Sequence, residues 1–187
     1  MTNAERRNGT TVELAYGRGA LPLTLPPGAR PTVIRKAVLP KLADGRAAVN
    51  AAFANPVASP PLTELVRNRR SACILICDIT RPVPNHLFLR PMIETMIAGG
   101  IPRERIDVLV ATGLHRPNEG AELAELIGDP WVLETVRVTN HFARNEADLV
   151  DLGETAGRKT PVQINRLFVE ADLRIATGLV EPHFMAG

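Results

Sequence analysis

The chain has 187 residues, with 22 Lys and Arg against 20 Asp and Glu and a formal charge of +2 at pH 7. An apolar fraction of 45% and a charged fraction of 22% exclude wholesale disorder and leave enough apolar surface for a buried core. The weak charge, the short basic clusters and only 4% aromatics argue against a nucleic-acid partner.

Residues 1–7 carry charges with no apolar stretch behind them, so no signal peptide is expected. No tract nears the roughly 20 apolar residues of a membrane span, and no membrane partner is expected. Residues 11–17, Thr11-Val12-Glu13-Leu14-Ala15-Tyr16-Gly17, alternate polar and apolar side chains as a half-buried strand does. Gly17-Arg18-Gly19 turns the chain, and residues 21–25 return as an edge strand, where Pro22 is tolerated. Residues 32–35 are a further short strand. The Ala-, Asn- and Pro-rich tract from 40 to 61 holds a helix over 44–53. Residues 1–61 therefore read as a β-hairpin lead with a helical linker, and 62–187 as one α/β domain.

From residue 62 helices and strands alternate. A helix over 63–70, capped by Thr63, leads into Ala72-Cys73-Ile74-Leu75-Ile76-Cys77 within a strand over 71–78. Such a continuous aliphatic run suits a parallel strand buried on both faces. Cys73 and Cys77 point to one face about 13 Å apart at ~3.3 Å per residue, too far for a disulfide. Free thiols fit a reducing compartment, and the expected location is the cytoplasm. Pro84 opens a helix in which Leu87, Phe88, Met92 and Met96 recur at helical spacing, and Gly99-Gly100 ends it. A strand over 105–112, a helix over 118–127 ended by Gly128 and a short helix over 131–135 follow. Strands at 136–139, 162–165 and 173–177, the last two separated by a short helix over 167–171, complete the pattern. The expected fold class is α/β: a mostly parallel sheet flanked by helices (Rossmann-like), with a small N-terminal β-hairpin.

One internal echo stands out. Val110-Ala111-Thr112-Gly113-Leu114-His115 and Ile175-Ala176-Thr177-Gly178-Leu179-Val180-Glu181-Pro182-His183 each end an aliphatic strand in Ala-Thr-Gly-Leu and deliver a histidine just beyond it. The strand over 71–78 runs into Asp78-Ile79-Thr80-Arg81-Pro82 in the same way. In open α/β sheets the ligand crevice lies outside the carboxyl ends of the strands, so three strand ends present their polar groups to one place. There Arg81 suits a carboxylate or phosphate, and Asp78 a hydroxyl, although a loop ion pair with a helix cap reads the same residues as well. His115 and His183 suit general acid and base work at neutral pH, and two imidazoles flanking one carbon suit racemisation. Each could equally satisfy a loop hydrogen bond. His86 and His141 are weaker candidates, the first more simply a solvated helix histidine. Neither GxGxxG nor GxxxxGK[ST] occurs, nor a metal motif of HExxH or CxxC spacing, so no metal ligand is assigned.

Asp78-Ile79-Thr80-Arg81-Pro82, Ala111-Thr112-Gly113-Leu114-His115-Arg116 and the segment from Gly178 through Pro182-His183-Phe184-Met185-Ala186-Gly187 together resemble the N-terminal domain of the nickel-pincer lactate racemase family. The opening hairpin resembles that family's as well. The resemblance implies a two-domain α/β protein with its site between domains, and a nickel pincer nucleotide that accepts a hydride from C2 of lactate. It implies that His115 and His183 are the catalytic acid/base pair. Asp78, Thr80 and Arg81 would bind cofactor or substrate, with Arg81 on an anion. In the family the Pro-His-x-x-Ala-Gly segment continues to a cofactor-tethering lysine and a nickel-binding histidine, whereas this sequence stops at Gly187. The expectation is therefore an N-terminal half whose partner is its own C-terminal domain and which does not turn over by itself. A non-catalytic nucleotide- or carboxylate-binding module, or a racemase or epimerase for another 2-hydroxy acid, remains open as an alternative.

Overall fold

The computed structural model describes residues 10–34 and 37–182. It divides into two compact units, residues 1–41 and residues 42–187. In the first, β1 (Thr11–Tyr16) pairs antiparallel with β2 (Gly19–Thr24), with Leu14 opposite Leu21 and Val12 opposite Leu23. Gly17 takes the first loop position at φ +56°, the left-handed conformation that tight hairpin turns require. Residues 32–34 form no strand, and Arg35 lies outside the described residues. Among the described residues Thr32 to Ile34 have no partner strand to complete a ladder, and Ile34 is nearly fully exposed.

In the second unit α1 (Gly45–Ala54) starts at Asp44, whose carboxylate accepts from the Ala47 N–H at 2.9 Å. Phe53 carries α1 to the main core, so this helix packs with the α/β body. The helix expected over 63–70 is a single turn, α2 (Leu62–Leu65), and Thr63 lies inside it while Pro61 holds the cap position. Asn68 adopts φ +59°, which stops helical propagation before the Arg-rich end of the segment.

The central sheet is β3 (Ala72–Cys77), β4 (Ile106–Ala111), β5 (Arg137–Asn140) and, last along the chain, β8 (Leu173–Ala176). All neighbours are parallel, in the order β5-β4-β3-β8. Between these strands run α3 (Asn85–Ala98), α4 (Gly120–Ile127), α5 (Pro130–Thr135) and α6 (Arg166–Glu170). The period of two along β3 explains its unbroken apolar run. Ala72, Ile74 and Ile76 join the large core with Leu89, Ile93 and Met96 of α3, whereas Cys73 and Leu75 turn to the other face against Leu167 and Phe168 of α6. Both thiols are free. Burial pushes the Cys73 thiol up to about 12 and raises that of Cys77 as well, so neither is a ready nucleophile.

The strand at 162–165 is not part of this sheet. It is β7 (Pro161–Asn165), paired antiparallel with β6 (Leu149–Glu154) in a separate ribbon. β6 escapes sequence reading because Gly153, at φ +83°, breaks the register between Asp151 and Glu154, and the Asp151 carboxylate accepts from the Gly153 N–H at 2.8 Å. Among the described residues no helix is long and apolar enough to cross a membrane.

Candidate active site

β3 is central, with β4 on one side and β8 on the other, although the chain reaches β8 last. This reversal in strand order is the kind of switch point at which open α/β sheets bind ligands. The carboxyl ends of β4, β3 and β8 lie side by side there, in the registers Cys77 to Ala111 and Leu75 to Ala176.

β3 delivers Asp78 at once. Its side chain is buried, at 6% exposure, yet every oxygen is engaged. Oδ1 accepts from the Thr80 hydroxyl at 2.5 Å and the Thr80 N–H at 3.2 Å, and Oδ2 lies 2.5 Å from Nδ1 of His115. Burial works to raise the Asp78 pKa, but the hydrogen bonds from Thr80 and His115 outweigh it and hold the carboxyl below its ordinary 3.8. An ionised carboxylate only accepts, so His115 must donate from Nδ1. That leaves Nε2 as the free ring nitrogen on a side chain that is 59% exposed.

The turn that presents His115 is built by its neighbours. The His115 N–H donates to the Thr112 carbonyl at 2.9 Å across Gly113, which sits at φ +57° and so needs the absence of a Cβ. The buried Thr112 hydroxyl donates to the His141 carbonyl, which ties the end of β4 to the end of β5. The echoed Thr177 does the corresponding job beyond β8, where its N–H and hydroxyl donate to the Leu75 carbonyl at 2.9 and 3.0 Å. The repeated Ala-Thr-Gly-Leu thus laces strand ends together.

Asn118 is a supporting residue that the sequence reading passed over. It is 1% exposed. Its Oδ1 accepts from the Ile79 N–H at 3.1 Å, its Nδ2 donates to Glu122 at 2.7 Å, and its backbone exchanges two 2.9 Å bonds with the Asn140 amide. The loops after β3, β4 and β5 are thereby held in one frame. The sequence places Asn118 at the start of the helix expected over 118–127, whereas the helix begins at Gly120 and leaves Asn118 in the loop before it. Glu122 is also gripped by Arg116 at 2.6 Å, and these donors pull its pKa down to about 2.

Arg81 does not stand alone. Its Nε lies 2.7 Å from the Glu181 carboxylate, which comes from the segment beyond β8. Thr80 is exposed, with its hydroxyl spent on Asp78. His183 lies outside the described residues. His86 is exposed on the first turn of α3, next to Gly128. His141 is half-buried at the end of β5, where its Nδ1 accepts from the Asn165 amide at 3.1 Å. A surface cleft of about 540 Å³ lined by Ile97, Ile101 and Trp131 lies at the opposite, amino end of the strands and contains none of these groups.

The depressed Asp78 pKa has a consequence for stability. A carboxyl whose folded pKa lies below its unfolded value adds stability above the unfolded value, and that contribution is lost as the pH falls through the folded one. Wild type is therefore expected to lose stability on acidification, through Glu122 from 4.5 down to about 2 and through Asp78 below 3.8. Urea unfolding at a series of pH values checks this: the stability gap between wild type and Asp78→Asn should narrow as the pH drops.

The arrangement is that of an α/β protein with a carboxylate-oriented imidazole and an arginine at the carboxyl edge of a parallel sheet. Comparison with known proteins is specific: residues 16–187 match the family model for the lactate racemase N-terminal domain. The chain belongs to that family. It is 35% identical to the lactate racemase of Lactiplantibacillus plantarum over 133 residues, covering 71% of this chain and 31% of the relative. With the lactate racemase of Thermoanaerobacterium thermosaccharolyticum it shares 32% identity over 178 residues, covering 94% of this chain and 41% of the relative. The structure of the latter organism's lactate racemase apoprotein superposes with a TM-score of 0.75 at 28% identity, covering 94% of this chain and 40% of that one. The chain thus spans 31 to 41% of the length of these relatives.

Proposed function

We propose that this chain supplies the N-terminal part of a racemase for lactate or a closely related 2-hydroxy acid, with His115 as an acid/base group. The observation that carries the reading is the Asp78–His115 pair, a buried carboxylate fixing an exposed imidazole, in a chain of the lactate racemase N-terminal domain family. Asp78 acts here through His115: it holds Nδ1 protonated and stabilises the imidazolium that forms when Nε2 takes the substrate's hydroxyl proton. Nε2 returns that proton when the carbonyl is reduced again. Arg81 holds the substrate carboxylate beside it. His183 is assigned the same proton transfer on the opposite substrate face, on the family resemblance.

The cofactor of this reading is the nickel pincer nucleotide, which supplies the hydride acceptor when bound. Among the described residues no three His, Cys, Asp or Glu side chains come together as a metal-binding group. We therefore place nickel on none of them and derive no step through it. A C-terminal domain of the kind the family resemblance implies completes the cleft in this proposal.

The test is D/L-lactate interconversion by the complete gene product that carries this sequence, loaded with the nickel pincer nucleotide. Interconversion of lactate or of another small 2-hydroxy acid is the expected result. Loaded protein that leaves every such acid unchanged overturns the reading.

A further inference from the structure

The Arg81–Glu181 pair has a geometry that stability does not explain. Both side chains are 35% exposed, and ion pairs that open to water add only about 0–1 kcal/mol. Its placement is more informative. Arg81 follows β3 and Glu181 follows β8, and these adjacent strands flank the reversal in strand order. The pair therefore bridges the mouth of the crevice, next to Asp78 and His115.

A guanidinium has two faces for planar anions, the side edge bearing Nε and the end bearing the two Nη groups. Glu181 takes Nε at 2.7 Å. Nη1 makes only long contacts, at 3.4 Å, to the carbonyl and hydroxyl of Thr80. Nη2 has no hydrogen-bond partner among the described residues. The backbone beneath is fixed too, since the Arg81 N–H donates to the Asp78 carbonyl at 3.1 Å. One edge of the cation is thus clamped and the other left for a ligand.

We propose that Glu181 is a positioning residue for anion capture: by gripping the Nε edge of Arg81 it presents the Nη end to the carboxylate of a small 2-hydroxy acid. This deepens the racemase reading and rests on it. An unclamped arginine on a loop samples many rotamers, and binding must then order it. A clamped one is already arranged. Glu181 also lies two residues before His183 in sequence, so the same ion pair ties the chain leading to that histidine onto the β3 loop.

The experiment has two arms. In the loaded complete protein, Glu181→Ala is expected to raise KM for lactate about tenfold or more while kcat stays within about threefold. Glu181→Asp, which keeps the carboxylate that pairs with Arg81, is expected to recover part of that loss. A KM lowered by Glu181→Ala would mean that the glutamate competes with substrate, and equal damage by both variants, or a loss confined to kcat, would mean a merely structural role; each overturns the proposal. The second arm needs no turnover. In the complete protein the Arg81 side chain is expected to be more ordered by NMR relaxation of its Nε–H vector in wild type than in Glu181→Ala. Equal order in both overturns the clamp. Wild-type protein that leaves 2-hydroxy acids unchanged while its Arg81 side chain is ordered refutes the racemase reading and this anion role, and leaves only the ion pair.

Discussion

Asp78→Asn is expected to lower kcat of the loaded complete protein by about 10²–10⁴-fold, nearly as much as His115→Ala. The reason is tautomeric. Asp78 takes the Nδ1 proton of His115 at 2.5 Å and leaves Nε2 free to accept. An asparagine can turn its NH₂ toward Nδ1, which forces the proton onto Nε2, where it blocks the base. The volume barely changes, and Thr80 can still bond to the side-chain oxygen. Because the two residues act as one unit, adding Asp78→Asn to His115→Ala should cost little more, and a double-mutant cycle in kcat measures this. Fully additive losses would separate the two residues and would return Asp78 to a ligand-binding role.

The largest expected effect on stability comes from α3. Leu89 is fully buried at 0% exposure in the core shared by α3 and the Ile74 face of the sheet. Leu89→Ala removes that packing and leaves a cavity, for an expected loss of about 3–5 kcal/mol. That is a large part of the 5–15 kcal/mol that holds a typical domain folded, on the order given for globular proteins. Ile97, two turns further along the same helix, is 37% exposed. Its replacement by alanine should cost no more than about 1 kcal/mol. Urea unfolding of both variants checks the contrast, and equal losses would mean that α3 does not pack as described.

Much of this architecture was legible because its cause is local. A strand covered on both faces must be apolar at every position, and Ala72 to Cys77 and Ile106 to Ala111 state that without knowledge of their neighbours. Gly128, at φ +69°, ends α4 where the sequence places a stop, and Asp44 and Asp129 cap α1 and α5 with their own carboxylates. Elements whose stability comes from a distant partner were not legible. β6 is half polar and broken by Gly153, and only the ladder to β7 makes it a strand. The one-turn α2 looks longer in sequence because Asn68 carries no obvious stop signal.

The candidate site divides along the same line. From its sequence alone the chain declares an α/β body with Asp78, Arg81 and His115 each just past an aliphatic run, since strand ends are marked by where the apolar pattern stops. Which of them touch was decided by strand order. Laying β4 and β8 on either side of β3 sets His115 on Asp78 and Glu181 on Arg81. Hydrogen bonds reach only about 3 Å and carry no mark in the chain, so partners so far apart in sequence are chosen by the sheet that brings them together.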